Sequence, residues 1–79
     1  MQIISSEQCR LARQLLKMSP YDLAERASLD AMIVFQIENP NTLAKVDIDC
    51  VRQVYDVLCH AGVHFVGIDG VKLLHRPRS

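Results

Sequence analysis

A basic excess is the first thing missing from this 79-residue chain: nine Lys and Arg are matched by nine Asp and Glu. Small DNA-binding domains draw much of their affinity from neutralising phosphates and usually carry surplus positive charge. A neutral chain must bind nucleic acid through a local patch, or bind something else. Cysteine is scarce and odd in number. Cys9, Cys50 and Cys59 have no paired spacing and all fall in apolar-periodic segments, which reads as reduced core thiols of a cytoplasmic protein rather than a disulfide framework. No apolar run approaches the ~18 residues of a membrane span. The N-terminus has no basic stretch followed by an apolar one, so no signal peptide is expected. The three glycines form no phosphate-cradling loop. No carboxylates pair in an apolar setting and no Cys stands in nucleophile geometry with a His, so the parts of an enzyme are missing and no cofactor is expected.

What is present is enough for one core. With 49% apolar residues, a chain this short buries roughly 60–65% of its unfolded surface, and residues 1–79 read as a single domain. No internal repeat or low-complexity segment occurs. Ser5 or Ser6 caps a first helix whose stripe is Leu11, Ala12, Leu15 and Leu16, with Arg10, Gln14 and Lys17 toward water. A second helix opens with Ser19 as N-cap, Pro20 at the first position and Asp22 closing a capping box; Leu23, Ala24 and Ala27 face inward. After only Ser28 and Leu29, Asp30 caps a third helix running to about Glu38. Two short helices joined by so tight a turn form a helix-turn-helix shape. The loop "NPNTLAKVD" allows one helical turn at 42–45. Asp47 or Asp49 then caps a longer helix to about Ala61, carrying Ile48, Val51, Tyr55 and Leu58 on one stripe, widened by Val54 and Val57. Gly62 is its left-handed stop.

Beyond Gly62 the apolar period falls from 3.6 to 2, and "VHFVGIDGVKLLH" predicts a β-hairpin over about 63–75, with Asp69 and Gly70 as a two-residue turn. That register sets Ile68 against Val71, Val66 against Leu73 and His64 against His75. It leaves both faces apolar: Val66, Ile68, Val71 and Leu73 on one, Val63, Phe65 and Leu74 on the other. Two apolar faces need two covers. The helices supply one; a second subunit, or pairing at the open edge, would supply the other and make a homodimer. A hairpin folded over on the helices is the alternative. Residues 76–79 read as a frayed tail.

The segment "CRLARQLLKMSPYDLAERASLDAMIVFQIE" resembles the Cro/repressor type of helix-turn-helix, the XRE family. Ala24 stands where the family has a small residue, Ser28 where the turn usually has Gly, and Val34 at the buried aliphatic position of the third helix. Arg13 and Glu38 match a structural ion pair between the first helix and the end of the third. The ending "AGVHFVGIDGVKLL" is similar to that of a short bacterial subgroup, so the resemblance spans roughly residues 4–74. It implies a mainly α, four- to five-helix domain with a C-terminal β-hairpin. It also implies transcriptional regulation, most often as an operator-binding dimer with the third helix in the major groove.

The residues that would read DNA depart from that pattern. At about 100° per residue, Met32 and Gln36 point opposite the core-facing Val34, with Ile33 and Phe35 beside them. Base readout needs Arg, Lys, Asn or Gln, and only Gln36 qualifies. Pro20 replaces a commonly found Gln and has no N–H for a phosphate. In the loop after the third helix Lys45 stands alone, against Asp47. Exposed apolar surface on a small protein marks a contact site, and Met and Phe suit contact with another protein. The chain is therefore expected to bind a protein, such as a transcriptional activator it silences, through Met32, Ile33, Phe35 and Gln36. In this it resembles the small quorum-sensing antiactivators of bacterial mobile elements. The alternatives are a dimeric sequence-specific DNA-binding repressor using Gln36, and a third helix whose apolar residues are ordinary core. Arg10, Lys17 and Arg26 read as a solvated face. Cys59, His60, His64 and His75 lack the convergence a zinc site requires.

Overall fold

The computed structural model describes residues 3–73. Four helices are followed by a two-stranded antiparallel hairpin. They are α1 (Ser6–Leu15), α2 (Pro20–Ala27), α3 (Ala31–Ile37) and α4 (Ile48–His60), with a single 3-10 turn (Leu43–Lys45) before α4; the strands are β1 (Val63–Val66) and β2 (Gly70–Leu73). Each α-helix opens on a side-chain cap. Ser5 and Ser19 form reciprocal capping boxes with Gln8 and Asp22, and Asp30 and Asp47 accept the backbone N–H of Met32 and Asp49. These caps satisfy the free amides of a first helical turn. The α2-to-α3 turn closes on Ser28, which takes the left-handed conformation at φ 59°, ψ 41°.

The core lies where α1, α2, α3 and α4 meet. Leu23, Ala24 and Ala27 of α2, Val34 and Ile37 of α3, and Val51, Val54 and Leu58 of α4 are buried as the 3.6 period requires. Two stripes differ from their sequence reading. Ile48 is 45% exposed at the mouth of α4. In α1, Leu15 is 42% exposed and Leu11 half-buried, whereas Cys9, Ala12, Ser6 and Gln8 are buried. The polar pair explains the rotation. The Ser6 hydroxyl donates to the Ile37 carbonyl at 2.6 Å, and the Gln8 amide donates to the carbonyls of Gly67 and Gly70, both at 3.1 Å. Gln8 Oε1 also accepts the Ser5 N–H at 3.0 Å. A side chain with all its polar atoms satisfied can be buried, so α1 turns these residues inward to hold α3 and the hairpin.

The hairpin register differs from the one the turn dipeptide suggested. Val63 pairs with Leu73, His64 with Lys72, Phe65 with Val71 and Val66 with Gly70. The loop is three residues long, 67–69. Gly67, at φ 63°, supplies the left-handed position, and Gly70 belongs to β2. A Cβ on Gly70 would lie 2.8 Å from the Val66 carbonyl oxygen, so Gly is required there by close approach. The shift sorts the faces. Val63, Phe65, Val71 and Leu73 share the inner face, and Phe65 stacks on Tyr55 of α4 with centroids 5.2 Å apart. His64 and Lys72 are exposed on the outer face beside Val66, and Ile68 sits 85% exposed at the loop tip. Val63, Phe65 and Val71 turn toward the helices, whereas Val66, Ile68 and Leu73 remain exposed, so the apolar side chains of the hairpin divide otherwise than the two-residue turn suggested. The expected pairing of His64 with His75 is replaced by His64 with Lys72; His75 and Leu74 lie outside the described residues.

Candidate protein-contact surface on the helix-turn-helix

The turn between α2 and α3 fixes which side chains face outward. Ser28 and Leu29 donate to carbonyls in the last turn of α2, and Asp30 holds the start of α3. The far end of α3 is anchored twice. The Thr42 hydroxyl donates to the Gln36 carbonyl at 2.7 Å. Arg13 clamps Glu38 in a two-point ion pair, Nε to Oε2 at 2.8 Å and Nη2 to Oε1 at 3.0 Å, while Nη1 donates to the Met18 carbonyl at 3.0 Å. Only 13% and 10% of the two side chains are exposed. The pair anticipated between α1 and the end of α3 is thus present and largely buried. Its hydrogen bonds to Glu38 push the Arg13 guanidinium further above its already high range. Cys9 Sγ lies 3.6 Å from Glu38 Oε2. Burial, and then the neighbouring carboxylate, push that thiol far above its ordinary range.

The four residues singled out on α3 divide. Met32 is 60% and Phe35 46% exposed, and Gln36 is half-buried beside them. Ile33 is half-buried and packs against the core, so it belongs in part to the domain's interior. A fifth residue, missed in the sequence, joins the surface. Tyr21 of α2 is 65% exposed and meets Phe35 edge-on, with centroids 5.8 Å apart at 76°. Its position on the outward face of α2 was legible; its contact across the turn was not. Tyr21 and Phe35 touch, and the exposed Met32 lies one helical turn before Phe35, so all three present aromatic and thioether surface on the outer side of the helix-turn-helix.

The remaining candidates are less organised. An open cleft of about 900 Å³ lies between the N-terminal part of α1 and the segment leading into α4, walled by Ile3, Leu43, Val46 and Ile48 and rimmed by the Glu7 and Arg10 ion pair. It shares no lining residue with the α3 patch. Among the described residues, no three His, Cys, Asp or Glu converge in a way that could hold a metal ion. Cys9 is buried, whereas Cys50 and Cys59 are only half-buried, so the core-thiol reading holds for the first alone. No helix among the described residues is long and apolar enough to cross a membrane. Compared with family models, with curated proteins and with solved structures, the chain matches none.

Proposed function

We propose that this chain is a transcriptional regulator built on a repressor-type helix-turn-helix scaffold that acts by binding a protein, in the manner of an antiactivator. The observation that carries the reading is the exposed patch of Tyr21, Met32 and Phe35 at the surface where the resembling family reads DNA. Large apolar side chains exposed to water carry a free-energy cost that is relieved when a partner covers them. Base edges, by contrast, are read by hydrogen-bonding groups, and Gln36 is the only such side chain in α3.

The anchoring around the patch supports the same reading. Capping of α3 by Asp30, the Ser28 turn and the Arg13 clamp on Glu38 hold the helix rigidly, which lowers the ordering cost of binding. The test compares transcript profiles in source cells overproducing the wild-type chain, Phe35→Ala or Met32→Asp. Both variants alter exposed side chains, so helical circular dichroism should be unchanged. Loss of the transcriptional response with the fold intact is expected. A response that survives both substitutions but disappears in Gln36→Ala would overturn the proposal in favour of a DNA-reading repressor.

A further inference from the structure

The segment that carries the patch is not neutral, although the whole chain is. Between residues 19 and 39 the acidic side chains are Asp22, Glu25, Asp30 and Glu38, and the only basic one is Arg26. Glu38 is neutralised by Arg13. Asp22, Glu25, Asp30 and Arg26 are all exposed, which leaves three negative charges against one positive. Their placement is specific. Asp22 adjoins Tyr21, and Glu25 lies four residues on from it, along the same face of α2. Asp30 accepts the N–H of Met32. Helix α3 itself carries no charge from Ala31 to Ile37. The apolar side chains are thus flanked along the chain by exposed acidic ones, of which Asp22 and Asp30 also cap their helices.

We infer that the partner presents a cationic amphipathic helix, with Lys or Arg flanking an apolar ridge. The inference rests on the protein-binding reading above and adds the chemistry of what is bound. Met32 and Phe35, three residues apart, form a ridge of one helical turn with Tyr21 beside it, and such ridges pack into the grooves of a second helix. A partner helix laid there brings its flanking side chains over Asp22, Glu25 and Asp30. Cations pair with those carboxylates, and anions are repelled. The exposed Tyr21 ring adds a face over which a guanidinium or ammonium can sit. The same carboxylates repel the phosphates of a duplex.

The experiment is an NMR titration of the intact, isotope-labelled chain with four probes. Three are designed amphipathic peptides of about 18 residues that share one apolar face and differ in flanking Lys/Arg, Glu or Gln; the fourth is a mixed-sequence DNA duplex. The cationic peptide should shift Tyr21, Met32 and Phe35 and bind at least tenfold more tightly than the anionic one at about 50 mM salt, a preference that shrinks at about 500 mM as charges are screened. Glu25→Lys should weaken the cationic peptide by roughly fivefold without altering the spectrum of the free chain elsewhere. Equal binding of all three peptides at the patch would overturn the cationic preference and leave the protein-binding reading standing. No peptide shifting the patch while the duplex does would overturn both.

Discussion

Replacing Glu38 by Ala should cost this domain about 3 kcal/mol. The substitution leaves the Arg13 guanidinium in place, 87% covered, with only the Met18 carbonyl still accepting from it. Breaking a buried pair on one side is worth about 3–5 kcal/mol because a desolvated charge loses its partner. The lower end applies here because about a tenth of each side chain still reaches water. Total stability for a chain of this length is roughly 4–12 kcal/mol, so the loss is a large share of it. In thermal terms it corresponds to a fall in Tm of about 12–24 °C. The assay is urea unfolding of the wild type, Glu38→Ala, Arg13→Leu and the double variant Arg13→Leu with Glu38→Ala. Because the double variant removes both charges, it should be more stable than the sum of the single losses implies, by about 2 kcal/mol. A Glu38→Ala cost below about 1 kcal/mol would be that of an exposed pair, and would refute the claim that this clamp holds α3 against α1.

Further outcomes follow from single residues. Ser28→Gly removes a side chain from a left-handed position and should stabilise by up to about 1 kcal/mol, read as a rise in Tm of a few degrees. Gly70→Ala places a methyl 2.8 Å from the Val66 carbonyl oxygen, which is backbone and cannot swing away; the strands must spread, at about 1–2 kcal/mol, with faster amide exchange confined to the hairpin. Cys9, whose folded-state thiol is pushed up by burial, makes stability fall as pH rises. The unfolded thiol releases its proton near pH 8.5–9 while the folded one keeps it, so the native state binds more protons above that pH. The slope should steepen from about pH 9 to 10 toward its limit of about −1.4 kcal/mol per pH unit, reached once the unfolded thiol is fully ionised. Cys9→Ala should flatten that slope in a series of urea titrations, and an unchanged slope would assign it to other groups.

Helix boundaries were legible because each rests on chemistry local to the sequence. Ser19, Pro20 and Asp22 define one start and Asp30 and Asp47 two others; Ser19, Asp30 and Asp47 are the N-caps in the structure, with Asp22 closing the capping box. The link between Arg13 and Glu38, though 25 residues apart, was accessible through the family resemblance. The errors came where a local signal competed with a distant partner. Asp69 and Gly70 look like a two-residue turn, yet Gly70 is needed for its approach to Val66, and the turn moves to Gly67. The inward rotation of α1 depends on Gln8 finding carbonyls about sixty residues away, at Gly67 and Gly70, which no periodicity in α1 encodes. Likewise Ile33 and Phe35 flank the same outward direction in α3, but only packing decides that Ile33 meets the core and Phe35 meets Tyr21.

The most direct test of the central claim is binding of the purified chain to fragmented DNA from its source, including its own upstream region, across a salt series. A protein-directed regulator with an acidic, apolar surface on its helix-turn-helix should show no binding at tens of micromolar, roughly the range in which even non-specific DNA binders associate, and none at low salt. Tight, salt-sensitive binding to a few fragments, at roughly 10⁻⁸ M or better, would contradict the account and make Tyr21, Met32 and Phe35 part of an apolar DNA-reading surface.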